Sequence, residues 1–503
     1  MQKDALNIIF GIDEQEFRQT GRQIPVQWTE NVGINAHMLV LGKSGSGKTV
    51  TLRRIVGQIS AQQSTKTRVY VFDVAGDLSF PRESAVLFSE STHYGINPLS
   101  ISSDPHFGGI RKRVQGFIEM MNDSGRDLGP RQTATLRNVL YELYDLHGYR
   151  LNDPSTWAIK PEGNTPAGMD PKRVYLDIPF EDKDQAKDAA RREGVSLVFD
   201  ATLKCWHCDR HEGALERWPR KTFGRRVPTL QDASRFTSNR MRALAAGGGS
   251  KTMRLLEDHN KQVAQWVNKA KKLGADGIAD IEELRTKVHE SSIEIIESFS
   301  DYVLGIETGK ELDALIRYDS VDTLRGLVDR LETLVASGIY KPVEPPFDPA
   351  MPVWRYNLAP LDAQEQKMFV WTRLTQIFEA AMERGPLKGS SEIRDVIVLD
   401  EAHHFFSDKE TNILDRLSKE ARKYGIALIC ASQSPTHFSE DFLGNAGTKI
   451  LLGLDPMYHD QTVRKMRIDP KVLQMVIPKK IAAIQISSGE ANSSQFRQTR
   501  VSA

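Results

Sequence analysis

The chain has 503 residues, enough for two or three domains or for one large domain with insertions. Charged residues make up 26% and apolar ones 40%, and 67 Lys plus Arg against 66 Asp plus Glu leave a net charge of +1, so any nucleic-acid surface must be local. Three cysteines, Cys205, Cys208 and Cys430, exclude a disulfide framework and fit a reduced, cytoplasmic setting, and no apolar run reaches the roughly 18 residues that a membrane span needs.

The first 34 residues form a short N-terminal segment with an apolar run but no signal-peptide cleavage pattern. From residue 35 the pattern is α/β. "AHMLVLG" is a continuous apolar run, as a strand covered on both faces requires, and "TVTLRRIVGQISAQQ" follows with helical spacing of Leu52, Ile55 and Ile59. "TRVYVFDVAGD" reads as a second buried strand that ends in acidic and glycine residues, and "HYGINPLS" as a loop marked by Pro98. Residues 109–148 read as helix, with Leu136, Val139, Leu140 and Leu143 on one stripe.

Residues 151–346 read as a large, mostly helical insertion, irregular up to about Pro228 apart from a short strand in "REGVSLVFDATLK". "AAGGGSKT", residues 245–252, reads as a hinge; no strand precedes it, so it is not a phosphate loop. The α/β pattern resumes over 347–503. There "PVWRYNLAPL", "IRDVIVLDEAHHFF", "IALICASQSP", "TKILLGL" and "KKIAAIQIS" read as strands, and "AQEQKMFVWTRLTQIFEAAMERG" as a long amphipathic helix. The expected fold is a RecA-like P-loop core with a mainly parallel sheet, in two parts at 35–150 and 347–503.

Gly42, Gly47, Lys48 and Thr49 satisfy G-x-x-x-x-G-K-[ST] between a buried strand and a helix. Glycine lets successive N–H groups turn inward as an anion nest at the helix N-terminus. Gly42, Ser44, Gly45, Ser46, Gly47, Lys48, Thr49 and Val50 are therefore the expected ATP-binding residues. Lys48 would lie against the β- and γ-phosphates, and the Thr49 hydroxyl would ligate Mg²⁺. A hydrolase also needs a metal-side acid and a group that activates water. Asp400, holding Mg²⁺, and Glu401, as general base, supply both at the end of an apolar strand. The alternative for this pair is a helix cap with a first-turn acid. Gln433 ends the following strand, where such sheets place ligand contacts, and reads as a γ-phosphate sensor or as a turn residue facing solvent.

Taken together, "GKSGSGKT", "VYVFDVAGDLS", "INPLS", "VLDEAHHFF", "EARKYGIALICASQSP" and "NAGTKILLGLDP" resemble the HerA/FtsK superfamily of P-loop motors. The nearest groups are the HerA-like and the conjugative type IV secretion ATPases. The resemblance covers roughly residues 30–150 and 350–500. It implies a homohexameric ring that hydrolyses ATP between neighbouring subunits and moves DNA, with Lys48 and Thr49 as the Walker A pair, Asp400 and Glu401 as the Walker B pair and Gln433 as sensor. Arg422 matches a basic position that the family places near the subunit interface, which makes it the candidate arginine finger, with Arg416 and Lys423 competing and a helix-terminal structural role as the alternative. Only some forty residues precede Gly42, too few for the β-barrel of HerA proteins or the membrane-docking domain of conjugative ATPases. Two other functions fit the motifs. One is the energiser of a secretion apparatus, and the other a nucleotide-gated scaffold for an effector such as a nuclease in phage defence.

Three weaker signals remain. "CWHCDRH" offers Cys205, His207, Cys208 and His211, half of a zinc site, with an incidental thiol cluster as the leading reading. His403 and His404 either face the nucleotide or pack in the core. "RWPRKTFGRR", with Trp218 and Phe223 among cations, suits a phosphate backbone with stacked bases but reads equally as a solvated face.

Overall fold

A computed structural model describes residues 5–30, 35–62, 67–124, 127–158, 173–179, 182–200, 205–218, 220–221, 226–246, 250–272, 278–304, 318, 320–387, 392–406, 413–488 and 495–501. Along the chain its strands are β1 (Asn7–Asp13), β2 (Pro25–Thr29), β3 (Met38–Leu41), β4 (Arg68–Asp73), β5 (Glu83–Leu87), β6 (Val174–Leu176) and β7 (Leu197–Asp200). They continue with β8 (Cys205–Cys208), β9 (Val353–Asn357), β10 (Asp395–Leu399), β11 (Ile426–Ser432), β12 (Thr448–Leu451), β13 (Ile481–Ile486) and β14 (Arg497–Arg500).

Eleven strands form one sheet in the order β2-β1-β14-β13-β12-β3-β11-β10-β4-β9-β5. Every pairing from β12 to β5 is parallel and every pairing from β12 back to β2 is antiparallel. The central strands have no polar face: β3, β10 and β11 are buried at every position. Alternate residues of one strand therefore feed two cores. Leu39, Leu41, Ile397, Leu399, Leu428 and Cys430 pack on one side, with Leu136, Leu140, Phe369 and Leu374 from helices Pro130–Leu146 and Ala363–Glu383. Met38, Val40, Val396, Val398, Ala427 and Ile429 pack on the other, against Leu52, Ile55, Val56 and Ile59 of helix Lys48–Ala61.

The chain between the two halves of this core contains a smaller sheet, β6-β8-β7, wholly antiparallel. With helix Lys183–Arg192 it encloses its own apolar cluster around Leu176, Ala186, Ala190, Cys208 and Trp218. Helices Leu230–Ala246, Ser250–Lys272, Ile278–Leu304 and Val321–Ala336 follow. The middle two form a hairpin joined by Thr252 to Ser298 (3.0 Å) and His259 to Ser291 (2.6 Å) hydroxyl contacts. Of the hinge expected at 245–252, residues 245–246 end one helix and 250–252 begin the next, while 247–249 lie outside the described residues.

Candidate nucleotide site

Parallel register builds the site. Leu399 of β10 lies opposite Phe72 of β4 and Cys430 of β11, while Ser432 and Leu451 lie opposite Leu41 of β3. One step past these positions, the carboxyl ends of four strands set Asp73, Asp400, Gln433 and Gly42 along one edge. The Gly42 N–H donates to the Ser432 carbonyl (3.1 Å) and the Lys43 N–H to that of Gly453 (2.8 Å), so the loop is tied to both flanking strands.

The loop turns through left-handed backbone at Gly45 (φ 75°) and Gly47 (φ 109°), where a side chain would be strained. Gly47 caps helix Lys48–Ala61 without a side-chain hydrogen bond, and the first turn carries no acid. The opening N–H groups of a helix have no acceptor in a preceding turn, so this end of the helix is free to receive an anion. The buried Ser46 hydroxyl also lacks a hydrogen-bond partner. Thr49 follows, half-buried, and Val50 is exposed.

Lys48 is 8% exposed; its ammonium donates to the Gly42 carbonyl (3.0 Å) and lies 3.3 Å from Glu401 Oε1. Glu401 has φ 45°, a left-handed conformation rare for a carboxylate residue, and it turns the side chain toward the loop. His403 Nδ1 is 3.3 Å from the other carboxylate oxygen. Burial raises the Glu401 pKa, but His403 and Lys48 outweigh it and hold the group at about 2. Asp400 moves the other way. Burial, then the negative charges of Glu401, Asp77 and Asp73, push it up to about 6.

Asp73, Asp77 and Asp400 each present an oxygen within 4.8 Å of the others, a donor set suited to a hard divalent cation. Asp73 and Asp77 were not singled out from the sequence. Their signal lay in "VFDVAGD", where an acid ends a buried strand and a second follows within one turn. Asp73 is wholly buried. It accepts from the N–H groups of Gly76 (2.7 Å) and Leu78 (3.2 Å) and from Arg355 (3.0 Å), which fixes the turn that carries Asp77.

The other expected residues fall at varied distances. Gln433 is exposed beside the loop. Arg422 is not at this edge. It precedes β11, beside His37 at the start of β3, and the seven residues of β11 put roughly 20 Å between it and Gln433. The phosphate loop of its own chain is out of its reach. Arg416 lies over the Phe378 ring (5.0 Å) and Lys423 beside Tyr424. His403 stacks between His404 and His437 (4.1 and 4.8 Å), so the histidine pair flanks Glu401 and is not in the core.

The reading of zinc at Cys205, His207, Cys208 and His211 does not hold among the described residues. Three residues apart on β8, the two thiols face opposite sides of the strand. His211 Nε2 is occupied by the carbonyls of Leu215 and Trp218. The basic stretch also loses its stacking platform, since Trp218 is 3% exposed with its indole N–H on Asp182 (3.0 Å). Lys221 and Arg226 pair with Asp177 and Asp232, and Phe223 lies outside the described residues.

Parallel order, phosphate loop and acidic strand ends define an α/β P-loop protein. Residues 18–150 match the family model described as "Helicase HerA, central domain", and residues 173–219 match a domain of unknown function, DUF5710. A relative, the DNA double-strand break repair helicase HerA of Pyrococcus furiosus, is 27% identical over 180 residues, which cover 27% of this chain and 31% of that protein. VirB4 of Thermoanaerobacter pseudethanolicus has a similar fold, with a TM-score of 0.55 at 14% identity, across 99% of this chain and 96% of that one. The bacterial conjugative coupling protein TrwB aligns over 98% and 93% with a TM-score of 0.47 at 10% identity. Residues 18–150 thus resemble the central domain of HerA, and the fold as a whole is similar to that of VirB4.

Proposed function

We propose that this chain is a ring-forming ATPase, assembled as a homohexamer in the cytoplasm, that couples ATP hydrolysis to movement along DNA. The observation that supports it most is the meeting of Lys48, Asp400 and Glu401 at one sheet edge, with Lys48 held 3.3 Å from Glu401. The residues fit a nucleotide: the Ser46 hydroxyl is buried without a hydrogen-bond partner, beside a helix start with no acid.

In this reading ATP seats its phosphates on Gly42 and Ser44 to Val50, and Lys48 leaves Glu401 for the β- and γ-phosphates. Glu401, ionised and turned toward the loop, then orients water for attack on the γ-phosphorus. Mg²⁺ would lie between Thr49 and Asp400, with Asp77 and Asp73 as further oxygen donors, and would neutralise phosphate charge. Gln433 contacts the γ-phosphate. Arg422, too far to serve its own chain, reaches the neighbour's nucleotide and stabilises charge on the departing group. A fixed sheet edge facing each neighbour is what lets hydrolysis shift one subunit against the next. No helix among the described residues is long and apolar enough to cross a membrane.

The test is steady-state ATPase activity with and without double-stranded DNA, beside a mass measurement in solution. Stimulation that falls steeply with salt is expected of a DNA motor. Activity indifferent to DNA but raised by proteins of a secretion complex would favour an energising role. Assembly with an effector that survives Lys48→Ala would favour a scaffold.

A further inference from the structure

A tight turn at residues 477–481 lies over the phosphate loop from the opposite end of the chain. Ile477 and Ile481 bridge antiparallel, and the Lys480 N–H donates to the Ile477 carbonyl (3.0 Å). Two contacts clamp the turn. Pro478 packs on Gly453, where a Cβ would come within 2.9 Å of its ring, and the Lys479 N–H donates to the Ser46 carbonyl (3.3 Å). Lys479 has φ 62°, one of four described non-glycine residues in this strained region. Its Cγ lies 3.7 Å from where a Cβ on Gly47 would stand. The side chain thus starts at the glycine that opens the anion-binding helix, with three further atoms to extend along it. Lys479 is exposed and makes no ion pair or side-chain hydrogen bond among the described residues.

We propose that Lys479 is a nucleotide-binding residue that closes over the phosphate loop of its own chain and holds a nucleoside di- or triphosphate by its phosphates. Lys48 approaches from within the helix, Lys479 from outside the loop. This rests on the nucleotide reading of Gly42–Thr49. A strained lysine fits the role: the turn, not the rotamer, fixes the side chain's origin, so a long cation finds the phosphates at lower entropic cost. Without anions nearby, the ammonium is left to solvent; with them, it gains charge-assisted hydrogen bonds.

The test is titration of the full chain with ADP and a fluorescent ADP analogue, comparing Lys479→Ala, Lys479→Gln, Lys479→Gly and Lys479→Arg. Alanine and glutamine should weaken ADP about tenfold, the effect of losing one charged contact, and arginine should restore binding to about twofold of the parent. Glycine should lose affinity like alanine while melting no lower than the parent, because it relaxes the positive φ. That separates charge from turn geometry. The alanine deficit should shrink as salt rises. Parent-like ADP binding by Lys479→Ala and Lys479→Gln, with Lys48→Ala defective, would overturn this inference and leave the nucleotide site standing. Failure of the parent protein to bind ADP would overturn both.

Discussion

Lys48 and Glu401 hold each other at 3.3 Å, and in the proposed reaction each would have to let go. Glu401→Gln should therefore keep or improve nucleotide binding while turnover falls at least about 100-fold, the contribution of a general base. Lys48→Ala should lose binding and turnover together, and equilibrium titration beside single-turnover hydrolysis separates the two. His37 gives a second residue-scale outcome, at the far end of β3. Its Nδ1 accepts from the Leu428 N–H (3.0 Å), and burial, then the nearby Arg422 cation, lower its pKa to about 4. The unfolded chain binds this proton below about pH 6.5 and the folded chain resists it. Stability is thus full above pH 6.5 and lost as pH falls toward 4, by roughly 3 kcal/mol from this group. Urea unfolding at steps from pH 7.5 to 4.5 should show the loss, and His37→Gln should flatten it. Most of the nucleotide edge was legible in residue order, because a phosphate loop and an Asp-Glu pair after apolar runs constrain one another. Asp73 and Asp77 were not. Their meaning depends on β4 lying beside β10, a pairing across more than three hundred residues that no local pattern carries.

At the scale of elements, β9 matters through Arg355. Its guanidinium binds the buried Asp73 (3.0 Å) and both oxygens of Glu83 (3.0 and 3.1 Å), tying β4, β5 and β9 together. Arg355→Ala would leave the buried Asp73 with its two backbone N–H donors but no counter-charge, a loss of roughly 3 kcal/mol. Because Asp73 also holds the turn to Asp77, Mg²⁺-dependent ADP binding should weaken more than metal-free binding; equal weakening would separate Asp73 from the metal. The central strands were readable from sequence because burial on both faces demands unbroken apolar runs. β5, β1 and β14 were not, since edge and antiparallel strands such as "ESAVL" and "RQTR" bury only part of their residues. β1 and β2 join the sheet through β14, a partner nearly five hundred residues away. Helix Ile413–Glu420 passes into a 3₁₀ turn over Ala421–Tyr424 that stops at left-handed Gly425. That tightening sets Arg422 just ahead of β11.

For the whole molecule, one sheet separates two roles. Its carboxyl edge carries the phosphate loop, and Arg422 sits at the other end of β11. In the proposed ring, both would serve one nucleotide. Arg422→Ala should then leave ADP affinity within about twofold and cut ATPase activity at least about 1,000-fold, on the scale of an arginine finger's contribution. Loss of binding as well would place Arg422 in folding, through its neighbour His37. DNA-coupled hydrolysis is tested most directly by ATP turnover of the purified chain over a titration of double-stranded DNA, with Glu401→Gln in parallel. Turnover should rise several-fold to saturation, weaken as salt increases and vanish in Glu401→Gln. Turnover that DNA leaves unchanged, or that survives Glu401→Gln, would contradict a DNA-coupled ATPase built on this site.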